Sequence, residues 1–390
     1  MKTKQHTRFM VLGSWIFLIT LLIASMKVNA AGLVSFAPAV NYGAGDEPVS
    51  VITGDFNKDS KIDLALAVYR NDNVAVLLGN GDGTFNPAVT YDTGENPRSI
   101  ITGDFNQDGK IDLATANGDS DDISVLLGSG TGTFNAPVSY DVGSWPSSVT
   151  TGDFNGDTKL DLAGANQTSG DVSILLGVGD GSFNTSENYN VGSSPWSVAT
   201  GDFNGDTKID LAVANNSSND VSILLGVGDG TFNEASAYSA GDHPCGPSSV
   251  ITGDFNGDSK TDVATANYFG GDVSILLGVG DGTFNAAVRY SVGNDPSSVI
   301  ASDFDGDGKT DLATANRYSD NVSILLGIGD GTFSAAMNFN AGHEPVSVTT
   351  GNFNGDGKTD LAVANSESDN VSILINTPPK KLIFLPLILR

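Results

Sequence analysis

Along most of the chain, short apolar segments recur between clusters of Gly, Asp, Asn and Ser. One stretch reads "RSIITGDF" (98–105), "KIDLATAN" (110–117), "ISVLLG" (123–128) and "TFNAPVSYDV" (133–142). Segments of this length, rich in β-branched residues and bounded by turn formers, predict four strands joined as an antiparallel meander. The third is apolar almost throughout, as in "VSILLG" at 172–177, which is the pattern of a strand covered on both faces. A lone four-stranded sheet leaves such faces bare, so the pattern requires a neighbouring sheet on either side.

The neighbours are copies of the same unit. Counted from the acidic stretch after the first strand, units begin at Asp55, Asp104, Asp153, Asp202, Asp254, Asp303 and Asn352, 49 residues apart except for one spacing of 52, at "GDHPCGPSSV". A period near 50 is that of propeller blades, and the 48 glycines argue against helices. The seventh unit stops at "VSILIN" (371–376), one strand short, while "SFAPAVNYGAG" (35–45) matches the fourth strand of a complete unit, "TFNAPVSYDVG" (133–143). The surplus strand fits the gap. The sequence therefore predicts an all-β, seven-bladed β-propeller over residues 31–376, four antiparallel strands to a blade, closed by an N-terminal strand that completes the last blade.

Between its first and second strands, each unit carries oxygen-bearing side chains at loop positions 1, 3, 5 and 9. The sets are Asp55, Asn57, Asp59 and Asp63; Asp104, Asn106, Asp108 and Asp112; Asp153, Asn155, Asp157 and Asp161; Asp202, Asn204, Asp206 and Asp210; Asp254, Asn256, Asp258 and Asp262; Asp303, Asp305, Asp307 and Asp311; and Asn352, Asn354, Asp356 and Asp360. Carboxylates this close repel, and a hard cation that takes six to eight oxygen ligands relieves the repulsion. Position 7 is lysine in every copy (Lys61, Lys110, Lys159, Lys208, Lys260, Lys309 and Lys358). Its backbone carbonyl is expected to serve as a further ligand, with the side chain pointing outward. The loops contain no Cys or His, which disfavours soft metals. Position 12 is never Glu and a strand pattern follows, so the loop is not an EF-hand. The expectation is one Ca2+ per blade, with the last site weakest because Asn352 replaces a carboxylate. "GDGTF", which follows the third strand, reads as an Asp-Gly hairpin turn.

The acidic stretch "GDFNGDTKIDLAVAN" (201–215) together with "LLGVGDGTFNAAVRY" (276–290) resembles the FG-GAP/VCBS repeat family. The resemblance runs from about residue 34 to 376. It implies calcium-loop blades of a seven-bladed propeller similar to integrin α-subunit heads, in a family that includes adhesion receptors, fungal lectins and secreted bacterial proteins.

Acidic residues outnumber basic ones 46 to 19, for a formal charge of −27, which argues against nucleic-acid binding through phosphate neutralisation. The first 30 residues carry Lys2, Lys4 and Arg8, then an apolar run and a small-residue "VNA". They read as a secretory signal peptide, so the protein is expected outside the cell or at its surface, with no membrane span in the mature chain. Cys245 is the one cysteine, so no intrachain disulfide can brace the fold. The tail, residues 377–390, is apolar from Leu382 to Leu389 and too short to span a bilayer.

Successive turns of a meander alternate between rims, which places the acidic loops and the "GDGTF" turns together. The opposite rim varies most between units and carries Tyr69, Arg70, Arg98, Trp145, Trp196, His243, Tyr268, Phe269, Arg317, Tyr318 and His343. Aromatic and polar residues on loops make this the expected ligand face. The expected function is a noncatalytic binding module for glycans or proteins, in adhesion or recognition; the alternative is a structural extracellular scaffold. An enzyme using His243 or His343 is disfavoured, because neither lies in a metal or triad spacing.

Overall fold

The computed structural model describes residues 34–241 and 246–378. The signal segment, most of the tail, His243 and Cys245 lie outside the described residues. Among the described residues, twenty-eight strands form seven four-stranded antiparallel sheets. In six of them the strands pair in chain order. In the seventh, Val40–Gly43 pairs with Asn370–Leu374, followed inward by Asp360–Asn365 and Pro345–Gly351. Tyr42 lies opposite Val371, and Thr377 N donates to Ser35 O at 2.7 Å. The N-terminal strand thus completes the last blade, as its sequence match to a fourth strand predicts.

The apolar second and third strands explain the ring. Leu64, Ala65, Leu66, Ala67 and Val68 are all fully buried, because each blade covers the next. Each core cluster draws on two adjacent sheets, and the one that holds Leu64, Leu66, Ala362 and Ala364 joins the first blade to the last. Edge-to-face aromatic pairs reinforce these seams. Phe105 meets Phe183 at 5.7 Å, and Phe353 meets Phe85 across the closure at 5.6 Å.

Around the axis, every innermost strand begins with proline and carries serine two residues later. Proline is tolerated at a strand start. The serine hydroxyl accepts a backbone amide from a neighbouring blade: Ile100, Val149, Val198, Val250, Val299 and Val348 donate to Ser50, Ser99, Ser148, Ser197, Ser249 and Ser298, and Val51 donates to Ser347, at 3.1 to 3.4 Å. The circle of hydrogen bonds closes on itself. Between the proline and the serine, the register with the second strand shifts by one residue in all seven blades. The bulged residues are Val49, Arg98, Ser147, Trp196, Ser248, Ser297 and Val346. A bulge bends its strand and re-aims the extra side chain, which here faces the axis.

Deleting residues 34–43 uncovers Val371 and Ile373 along an unpaired strand edge, a template for association. The truncated chain is expected to melt lower and self-associate, measured by calorimetry and size-exclusion chromatography. A monomer with an unchanged melting temperature would contradict the closure.

Candidate functional site

In the acidic loops, polar side chains first fold the loop onto itself. Asp55 accepts the amides of Asp59 and Ser60 at 3.0 and 2.9 Å, Asn57 accepts Asp59 N at 3.0 Å, and Asp59 accepts Lys61 N at 3.0 Å. Position 9 is buried and binds two more amides. Asp63 takes Phe56 N at 2.9 Å and Gly79 N at 2.8 Å, and the arrangement repeats through Asp360, which takes Phe353 N and Asn376 N. The carboxylate therefore ties the loop to the end of the third strand in every blade, a structural reason for its repetition that does not need a metal. Lone pairs remain on both oxygens for a cation. Desolvation raises the pKa of these carboxyls, and that of Asp311 reaches about 6.

The lysine at position 7 departs from expectation. In six of the seven loops its side chain folds back onto position 5. Lys61 reaches Asp59 at 3.1 Å, Lys110 reaches Asp108 at 2.7 Å and Lys309 reaches Asp307 at 3.0 Å. Lys159, Lys208 and Lys260 pair likewise with position 5. The cause is the shared rim, because the lysine stem lies against the neighbouring hairpin, where a Cβ on Gly81 would meet Lys61 Cδ at 3.1 Å. The stem gains apolar cover and the ammonium meets the nearest carboxylate.

The donor set fits a hard cation. In the sixth loop, oxygens of Asp303, Asp305 and Asp311 lie within 4.8 Å of one another, close enough to converge on one ion of calcium size. In the first five loops position 3 is Asn, so the same three positions offer two carboxylates and an amide oxygen. In the seventh, Asn352 Oδ1 is buried without a hydrogen-bond partner, whereas the Asp at this position elsewhere accepts at least two amides.

The opposite rim opens into an axial cavity of about 280 Å³. Its wall has two tiers: the seven bulged residues, then Tyr69, Gln167, Tyr268, Arg317 and Ser366, each immediately after a second strand; Glu47, just before an innermost strand, completes it. Arg98 packs against the rings of Tyr69 and Trp145 at 5.2 and 4.9 Å. Gly118 makes room for it, since a Cβ there would lie 3.1 Å from Arg98 Nε. Trp196 packs edge-on against Tyr268 at 6.0 Å, and burial pushes the Tyr268 hydroxyl up to about 12. Arg317 pairs with Glu344 at 2.6 Å, and Arg70 pairs with Glu47. Arg98 Nε and Trp196 Nε1 are buried without a hydrogen-bond partner.

Of the predicted ligand-face residues, Tyr69, Arg98, Trp196, Tyr268 and Arg317 line this cavity, and Trp145 supports Arg98. Arg70 stands outside in its ion pair. Phe269 and Tyr318, each 60% exposed, form a collar against Tyr268 and Arg317. His343 is exposed, away from the cavity wall. Sequence reading missed Glu47, Val49, Ser147, Ser248, Ser297, Val346, Gln167 and Ser366. The signal lay in the copies themselves: the residue after proline runs Val, Arg, Ser, Trp, Ser, Ser, Val from blade to blade, while its neighbours scarcely change.

Residues 55–115, 104–164, 153–213, 202–265, 254–314 and 303–363 each match the FG-GAP-like repeat. The chain belongs to this family. No curated protein matches it in sequence. Among solved structures, the FG-GAP propeller is similar to BBS1N in complex with ARL6DN, at 13% identity over 89% of this chain and 98% of that one, with a TM-score of 0.61. It is similar to an Agrocybe aegerita lectin that recognises non-reducing terminal N-acetylglucosamine, at 18% identity over 85% and 96% of the chains, with a TM-score of 0.55. It is also similar to virginiamycin B lyase from Staphylococcus aureus, at 11% identity over 87% and 99%, with a TM-score of 0.59. Likeness at these identities establishes the fold alone. No helix among the described residues is long and apolar enough to cross a membrane.

Replacing Asp210 by Ala leaves the buried amides of Phe203 and Gly226 unpaired. At roughly 1–3 kcal/mol for each unsatisfied group, D210A is expected to lose about 2–6 kcal/mol in metal-free urea unfolding. A loss below about 1 kcal/mol would show that position 9 serves no structural purpose.

Proposed function

We propose that this FG-GAP propeller is an exported, calcium-loaded, noncatalytic binding module that holds a glycan or protein ligand over its axial cavity. The observation that carries this reading is where the seven copies differ. In three blades the bulged residue is serine, and Ser147, Ser248 and Ser297 donate to the carbonyls of Pro195, Pro296 and Pro345 in the next blade at 2.8, 2.8 and 3.3 Å. Val49, Arg98, Trp196 and Val346 cannot repeat that clamp in the same way. A frame selected for stability alone has reason to keep serine in all seven blades. Departures that give up local stability and converge on one cavity are the mark of a functional site.

The chemistry of the wall supports binding over catalysis. Its bulged serines direct their protons to carbonyls, and Glu47 is neutralised by Arg70. Aromatic surface with a few oriented donors is what small-molecule and glycan sites use. Propellers of like fold bind a protein partner, as BBS1N does with ARL6DN, or a sugar, as the Agrocybe aegerita lectin does. The acidic loops would hold their cations on the far rim, as part of the frame.

A panel of glycans and extracellular proteins, screened against calcium-loaded protein, is expected to yield a ligand whose affinity falls at least about tenfold with W196A. Chelation is expected to lower the melting temperature, since any ion bound to the folded state stabilises it. Binding that survives both W196A and R98A would overturn the cavity as the ligand site, and a melting temperature indifferent to chelation would overturn the role of calcium.

A further inference from the structure

Resting on the cavity as the ligand site, we infer that it is built for a carboxylate-bearing sugar, the acid group held by Arg98 and the ring by Trp196 and Tyr268. Arg98 stands apart from the other described arginines. Arg70 faces Glu47, Arg317 faces Glu344 and Arg289 faces Asp272. In a chain with 46 acidic residues, no described carboxylate lies within ion-pair distance of Arg98. Its neighbours are instead two aromatic rings and a glycine that leaves it space. Stacking fixes the plane of a guanidinium without using its N–H groups, and a planar fork of donors matches a carboxylate in two parallel hydrogen bonds.

Trp196 supplies the contact for the sugar ring. Its Nε1 is a donor without a partner, buried at the cavity wall. An indole with a free N–H presents an apolar face and one hydrogen bond, a combination suited to the C–H face and hydroxyl of a pyranose. The alternative occupant, a peptide added along a strand edge, meets an obstacle. Amides of the innermost strands, such as Ile100 N and Val149 N, are already given to serines of the neighbouring blades.

The test compares methyl glucuronide, methyl glucoside and a short peptide with a free C-terminal carboxylate as probes, by calorimetric titration of the calcium-loaded protein. Wild type is expected to bind the glucuronide at least tenfold more tightly than the glucoside, with an affinity that falls as salt rises. R98Q is expected to erase that preference, R98K to recover part of it, and W196F to weaken both sugars; melting temperatures confirm that the variants fold. Equal binding of the two sugars, or a preference that survives R98Q, would overturn the acid assignment while leaving the cavity as a binding site. Tighter binding of the peptide, or no binding of either sugar, would overturn the choice of a sugar.

Discussion

Every blade has strands that are buried on both faces and mostly apolar, and this single fact dictates the rest. A sheet such as Asp63–Val68 with its partner Asn73–Leu77, buried residue after residue, has no solvent side. It is stable between two sheets like itself and nowhere else. Seven copies satisfy each other in a ring, and the ring is complete because the strand missing from the last copy is supplied by Val40–Gly43. The loss of either end exposes the faces of two blades at once. Closure therefore substitutes for the disulfides this chain cannot form.

Once the ring is closed, its two rims are free to differ. The acidic-loop rim is nearly uniform. In the first six loops the carboxylates gather the loop's own amides and lysine pairs with position 5, so those loops are folded without a cation. A cation entering such a loop meets oxygens already oriented, with little ordering left to do. The other rim is where the copies diverge. The serine circle fixes the innermost strands, and the bulge beside it turns one side chain per blade toward the axis. Identity of that side chain is then open to change without disturbing the seams between blades.

Much of this was legible in the sequence because repetition amplifies it. Strand segments, the 49-residue period and the complementary ends appear in composition and spacing alone. What stayed hidden depends on register and side-chain direction. A bulge adds no residue type that marks it, so nothing in "PRSI" or "PWSV" announces that Arg98 and Trp196 face the axis. Selecting aromatic and polar residues of the variable rim included both, along with Phe269 and Tyr318, which form the collar, and His343, which is not part of the cavity wall. Asp63 and its equivalents read only as ligands, because spacing cannot show that their oxygens also hold Phe56 and Gly79. The lysines were expected to point outward because the hairpin that covers their stems belongs to a different part of the unit.

The central claim is that frame and site are separable: the seams hold the ring, and the residues facing the cavity, the bulged ones foremost, are specialised. The most direct measurement equalises the axis, with Val49, Arg98, Trp196 and Val346 all replaced by serine in one chain, and records melting temperature and ligand binding together. The account predicts a melting temperature at or above that of wild type, because each new serine can form the blade-to-blade clamp, together with complete loss of binding. A chain that unfolds at lower temperature yet still binds would contradict it.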